Sequence, residues 1–287
     1  MPLDPVEHTS KTDGVIMFRV FCPTLGERET IAHTLFPDDW PFTFVIDQHT
    51  DPTRLKTFGK RIIQVNVEDP NRITRLSEIR NLIEAQVDLG EWHIGVDDDI
   101  GGITQLAPLM YDASDLDLDY EDWTSSEWHD WFSHRSQPED VRKIFHDLLF
   151  ECNRMGTIYG GTSFFDNPFY RKRKFAYAGY VNGGLHLKRK DGRGWKWAPN
   201  GDMEQSCYVL KTYGAVVINR WAHCLFKDST VGGMLTFSDE WKRIVKLNIA
   251  RMMEVYPGLL KPDGFRMKVL KNTLKSVENW RRANGWL

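Results

Sequence analysis

The sequence predicts an α/β protein built on a mostly parallel sheet flanked by helices. Short apolar runs suited to buried strands alternate with helix-period segments over the first hundred residues. Those runs are almost continuously apolar, as in strands covered on both faces. A triple aspartate follows the fourth run directly, at the carboxyl end of a strand, where open α/β sheets bind their ligands.

Residues 15–21 form the first strand, ending at Cys22 and Pro23. A short helix is expected over 26–36, from the polar group at 27–30 followed by Ile31, Ala32 and Leu35. Residues 42–47 and 61–67 give the second and third strands. Ile73, Leu76, Ile79, Ile83 and Val87 keep helical spacing over 72–89, with Gly90 as the stop. The fourth strand, 92–96, runs into Asp97, Asp98 and Asp99. Residues 111–137 are acidic, with Tyr111, Tyr120, Trp123, Trp128 and Trp131 interleaved, and read as an inserted loop or lid. Pro138 opens a helix to about Met155. A second helix is expected over 202–211, capped by Asn200 or Asp202, then a strand at 215–218. Two helices, 238–256 and a basic 263–283, make a C-terminal helical extension. Residues 14–237 are thus expected to form the main domain and 238–287 the extension, with no repeat and no clean linker.

Composition narrows the class. The chain has 287 residues, 41% hydrophobic and 27% charged, which excludes wholesale disorder and is ample for a core. No stretch approaches the roughly 18–20 apolar residues of a membrane span. The polar first fourteen residues do not read as a secretory signal. Cys22, Cys152, Cys207 and Cys224 form no CxxC pair, so they read as reduced thiols without a zinc knuckle, and the expected location is cytoplasmic. The net charge of −3 is a cancellation. The acidic stretch offsets a segment, 166–200, with nine basic residues against two acidic ones. Arg171, Lys172, Arg173, Lys174, Lys188, Arg189 and Lys190 lie there among many aromatics, a pattern suited to phosphates and stacked bases. A solvated charged hairpin is the plainer reading of the same residues.

The aspartates carry the chemistry. Two carboxylates one residue apart at a strand end can share Mg²⁺ or Mn²⁺, and a cation so held can neutralise a leaving diphosphate. Gly232 and Gly233 allow backbone amides to approach a phosphate, or simply make a turn.

Residues 76–82, with Arg80 and Asn81, followed by residues 92–100, resemble the nucleotide-sugar domain of GT-A glycosyltransferases. Residues 200–210, 213–220 and 229–234 resemble the TET-associated glycosyltransferases. Those GT-A-like enzymes, mainly of phages, are thought to glycosylate hydroxymethylated pyrimidines in DNA. The resemblance spans about residues 14–235. It implies that Asp97 and Asp99 hold the metal, that Asp97, Arg80 and Asn81 meet the donor, and that His223 joins the metal. It places Thr24, Arg28 and Asp47 near the nucleotide. An inverting transfer needs a carboxylate to take the acceptor proton, and Asp202 and Glu204 are the candidates. The family sets two acidic residues side by side, whereas Met203 separates them here. For Arg80 the plain alternative is a solvated helix face paired with Glu84.

The expected function is therefore metal-dependent transfer of a sugar, from a UDP-sugar, onto a 5-hydroxymethylpyrimidine in DNA. The expected partners are the donor and modified DNA, with no membrane and no obligate protein partner, and a host cytoplasm if the gene is a phage's. A saccharide or protein acceptor and a non-catalytic nucleic-acid-binding protein are the alternatives. A haloacid-dehalogenase-type phosphatase sets its aspartates after the first strand, which argues against that reading.

Overall fold

A computed structural model of the chain describes residues 11–12, 15–24, 30–71, 73–105, 136–163, 174–227, 238–263, 266–269 and 273–287. In chain order the elements are β1 (Lys11–Thr12), β2 (Val15–Ile16), β3 (Arg19–Pro23), a 3-10 turn (Ala32–Thr34), β4 (Phe42–Asp47), α1 (Thr53–Lys56) and β5 (Arg61–Val65). Next come α2 (Arg75–Ala85), β6 (Trp92–Val96), β7 (Ile100–Gln105), α3 (Pro138–Arg154), β8 (Tyr159–Ser163), β9 (Phe175–Ala176) and β10 (Leu185–Arg189). The chain continues with α4 (Gly201–Tyr213), β11 (Val217–Phe226), α5 (Asp239–Val255), β12 (Leu260–Asp263), β13 (Arg266–Val269) and α6 (Leu274–Ala283).

The expected α/β sheet is present. Its order is β5-β4-β3-β6-β10-β8-β11-β7, with β9 added beside β11. The four strands expected from the first hundred residues are its parallel block: β5, β4, β3 and β6 all run one way. Beyond β6 the direction mixes. β10 is antiparallel to both neighbours, β8 and β11 are parallel, and β7 and β9 return antiparallel on β11.

Alternation along the strands divides the core. Val20, Cys22, Phe44 and Ile46 point to a cluster completed by Ile144, Phe145, Leu148 and Cys152 of α3. Phe21 and Val45 point the other way, onto Ile79 and Ile83 of α2. Over the second half of the sheet, Tyr159 and Ile218 join Cys207, Val209 and Leu210 of α4 and Val245, Ile249 and Met252 of α5. Helix α3 forms where expected because Gln137 and Asp140 make a capping box, Pro138 sits in the first turn, and its apolar residues share one face.

Three elements differ from expectation. The first predicted strand divides into β2, paired with β1, and β3 in the main sheet. Among described residues the 26–36 region holds only the turn at Ala32–Thr34, with 25–29 outside the description. The last helix starts at Leu274, and a β12-β13 hairpin occupies 260–269. Nor is the 238–287 segment packed apart from the rest. Val277 and Trp280 of α6 share the α4–α5 cluster, and Arg281 donates to the Lys211 and Thr212 carbonyls at the end of α4. No described helix is long and apolar enough to cross a membrane.

Candidate functional site

The chain beyond β6 turns into β7, which pairs antiparallel with β11 at the far edge of the sheet, and the parallel block ends at Pro23 of β3 and Val96 of β6. That is the crevice at which open α/β sheets take ligands. A small cleft opens there, lined by Phe21, Pro23, Arg80, His93, Asp97, His186 and Trp195 among others.

Asp97, Asp98 and Asp99 form the turn between β6 and β7. The Asp97 amide donates to the Gly184 carbonyl at 2.8 Å, and the Lys227 amide donates to the Asp99 carbonyl at 2.8 Å. The turn is thereby tied to the start of β10 and the end of β11. Thr24, just past β3, donates its hydroxyl to Asp98 Oδ2 at 2.6 Å. Arg80 reaches from α2 to Asp97 Oδ1 at 3.3 Å. The Asp97 side chain keeps 32% of its surface exposed. Burial of the carboxyl raises its pKa, Arg80 opposes the rise, and Asp99, Asp98 and Asp202 add to it.

Arg80 is buried, so the solvated pairing with Glu84 is not what forms. Its guanidinium lies 4.7 Å from the centre of the Trp195 ring. Burial opposes its charge, but the Asp97 and Asp202 carboxylates outweigh that and hold its pKa above the ordinary arginine value.

Asp202 lies in the first turn of α4 and acts electrostatically on both Arg80 and Asp97. Its Oδ2 accepts from the Tyr180 phenol and from the Gly183 amide at 3.2 Å, and its Oδ1 accepts from the Met203 amide at 2.9 Å. Burial, followed by Asp202, pushes the Tyr180 phenol well above its usual pKa. Arg80 and Asp97 line the crevice, Thr24 is tied to the aspartate turn, and Asp202 lies within electrostatic reach of both Arg80 and Asp97, so four segments far apart in sequence meet in one neighbourhood.

Other predicted site residues lie elsewhere. Glu204 is a correction. Residues two apart on a helix face away from each other, so while Asp202 faces Tyr180 and the Gly183 amide, Glu204 turns into the core, fully buried, against Arg193 and Tyr256. Asn81 is a second correction. Its amide clamps the Trp195 backbone, accepting from the amide and donating to the carbonyl, so both of its polar atoms are used. Asp47 is only 2% exposed and accepts from Thr50 and the His49 amide while pairing with Arg75 at 2.9 Å. Burial pushes its pKa up, and Thr50, Arg75 and the backbone donors outweigh that and hold it low. It ties β4 to α2.

His223 sits on β11 opposite Thr104, with Nδ1 donating to the Ser163 carbonyl at 3.1 Å. Among the described residues no group of three or more His, Cys, Asp or Glu side chains is placed to hold a metal.

Among the basic residues, Lys188 is a correction, and the other three described ones have partners within the chain. Lys188 is fully buried and pairs with Glu84 at 2.6 Å. Lys174 pairs with Asp147 at 2.7 Å, Lys190 donates to the Val87 carbonyl, and Arg189 lies half-buried over the Trp92 ring. Arg28, Arg171, Lys172, Arg173, Gly232, Gly233 and the acidic 111–131 stretch lie outside the described residues.

The sequence reading missed Tyr180, Gly183, His186 and Trp195. His186 packs over Gly95, where any Cβ would strike its ring, and donates from Nδ1 to the Gly183 carbonyl at 2.9 Å. Burial lowers its pKa well below that of a free histidine, so the ring is neutral. Asn182, Gly183 and Gly184 in succession were the available signal, since paired glycines mark a close approach. Tyr159 is fully buried beside His186 and Trp195, and its hydroxyl has no hydrogen-bond partner among the described residues.

No protein-family model matches the chain, and no curated protein matches it. Among solved structures it is similar to TarS residues 1–349 from S. aureus in complex with UDP-GlcNAc, at 11% identity and a TM-score of 0.49, over 83% of this chain and 67% of that one. It is also similar to CMP:2-keto-3-deoxy-manno-octonic acid synthetase complexed with CTP, at 10% identity and a TM-score of 0.31, over 94% of this chain and 98% of the other.

Proposed function

We propose that the chain is a metal-dependent glycosyltransferase that moves a sugar from a nucleotide-sugar donor onto a hydroxyl, and that the acceptor is a 5-hydroxymethylpyrimidine in DNA. The observation that supports the transferase reading is the clustering of Asp97, Arg80 and Asp202, within electrostatic reach of one another, beside the ends of β3 and β6. A UDP-sugar is the donor implied by the sequence resemblance.

Carboxylate oxygens are the donors a hard divalent cation prefers, and Asp98, Asp99 and Asp202 act on Asp97 beside the Arg80 guanidinium, where their negative charge adds to burial in raising the Asp97 pKa. Asp97 and Asp99 would hold Mn²⁺ or Mg²⁺, which when bound supplies charge neutralisation at the diphosphate. Arg80, kept cationic by its carboxylates, offers a fixed positive charge on the same side. Asp202 takes the proton of the acceptor hydroxyl as the new bond to the anomeric carbon forms. The bond from that carbon to the phosphate oxygen breaks, and the nucleotide leaves with the electron pair.

The DNA acceptor rests on the resemblance and on Arg171, Lys172 and Arg173, since the four described basic residues are engaged within the chain. The test is incubation with hydroxymethylcytosine- and hydroxymethyluracil-containing DNA, Mn²⁺ and a panel of nucleotide sugars, read by nucleoside mass spectrometry. A hexose-sized mass gain on the modified base is expected. Donor consumption without DNA gain would move the acceptor to a saccharide or protein, and no turnover of any donor would sink the transferase reading.

A further inference from the structure

Asp202 is held by three donors, and they are not shared evenly between its oxygens. Oδ2 accepts from the Tyr180 phenol and the Gly183 amide, while Oδ1 accepts only from the Met203 amide of its own helix. A carboxylate oxygen has two acceptor positions. Oδ2 is therefore full, and Oδ1 keeps one position open.

The 180–184 loop is built around this contact. A Cβ on Gly183 would stand 2.6 Å from Asp202 Cβ, so only glycine lets the backbone amide come so close. The same loop grips the aspartate turn, through the Gly184 carbonyl and the Asp97 amide. Its inner side is fixed by His186 on the Gly183 carbonyl and by the Asn182 side chain on the Gly184 amide. One loop thus sets the spacing between the two carboxylates on which the proposed reaction depends.

We propose that Tyr180 is the positioning residue for Asp202: with the Gly183 amide it occupies Oδ2, fixes the carboxylate plane, and leaves Oδ1 as the atom that takes the acceptor proton. This rests on the transferase function proposed above. It adds an assignment of which oxygen acts and of what aims it. Tyr180 touches no reacting atom, so its loss should slow turnover without weakening the donor.

The test compares Tyr180→Phe, Asp202→Asn and the double variant in the full chain. Transfer rates are measured with the donor that turns over, and binding by calorimetry with UDP and Mn²⁺. Tyr180→Phe is expected to lower kcat at least tenfold, within the range general-base catalysis contributes, with Kd for UDP–Mn²⁺ within twofold of wild type. The double variant is expected to be no slower than Asp202→Asn, because positioning matters only while the carboxylate is there. Gly183→Ala, which displaces Asp202 from the other donor, should lower kcat in the same way and reads the contact if Tyr180→Phe fails to fold. A kcat within twofold of wild type, a tenfold loss of UDP–Mn²⁺ binding, or a double variant slower by the full Tyr180→Phe factor each overturns the assignment while leaving the transferase function standing. A wild-type chain that turns over no nucleotide sugar overturns both.

Discussion

Two charged regions lie side by side in this fold, and they are built on opposite terms. In the crevice, Arg80 meets Asp97 at 3.3 Å, with a third of the aspartate exposed and three more carboxylates nearby. A few residues away, Lys188 meets Glu84 at 2.6 Å with 0% and 8% exposure, and Trp195 and His93 crowd the same carboxylate. The second region is balanced and closed. The first is unbalanced and open. A buried pair is held because removing either partner strands a charge. An open cluster with surplus negative charge leaves a cation to be supplied from outside the chain, which the proposed function does. The difference separates groups that hold the molecule together from groups the proposed chemistry would use.

The closed region should give the largest response. Lys188→Ala leaves Glu84 buried without its cation, and the expected loss is about 3–5 kcal/mol of unfolding free energy. Denaturant unfolding checks this. Lys188→Met combined with Glu84→Gln should recover most of the loss, since the stranded charge is gone. A single substitution costing less than about 1 kcal/mol would mean that this region is not closed at all.

The open region should respond in the other observable. Asp97→Asn removes one carboxylate from a crowded set, so the urea midpoint should move little, while transfer should fall by about 10²–10³-fold with the loss of charge stabilisation at the donor. Unfolding and turnover measured on the same preparation separate the two. A large stability loss with turnover retained would invert the comparison.

Sequence patterning reaches the two regions unequally. Asp97 was legible because an apolar strand runs straight into it, and Asp202 because it opens a helix after Asn200. Local order also revealed the parallel strands and α3. Lys188 was not legible, because a lysine beside Arg189 and Lys190 reads as surface charge. Its partner, Glu84, comes from a helix 104 residues earlier, and only the tertiary pairing of β10 with β6 brings the two together. Glu204 failed for a geometric reason that was available, since two residues on one helix cannot face one site when a single residue separates them. The hairpin at 260–269 had its own signal as well. Pro262, Asp263 and Gly264 form a turn sequence, but the basic residues at helical spacing beyond it masked that. Tyr180 and His186 carry no periodic signal, because what selects them is a contact made across the fold.

The pH response tests the closed region more gently. Burial lowers the His93 pKa from 6.5 to about 3, and burial also lowers His186 well below its ordinary value. Both are neutral when folded, whereas the unfolded chain protonates them as the pH falls through 6.5. Their contribution is therefore present above about pH 6.5 and is lost progressively as the pH drops toward the folded values. For His93 alone the loss between pH 7 and pH 5 should be about 2 kcal/mol. His93→Gln should flatten that part of the profile, and an unchanged slope would remove His93 as its source.

The smallest effect is expected at the residue the two regions share. The Trp195 ring lies under Arg80, while its Nε1 donates to Glu84 at 3.1 Å. Trp195→Phe keeps an aromatic face for the guanidinium and deletes only the bond to the closed pair. The expected result is a loss of about 1 kcal/mol in stability, typical of one hydrogen bond whose acceptor keeps another partner. UDP–Mn²⁺ binding should stay within threefold of wild type. If binding falls further than that while stability holds, the Glu84 contact is what aims the tryptophan and, through it, Arg80. The closed region would then be part of the donor site, and the division drawn between the two would have to be redrawn with Trp195 and Glu84 on the open side.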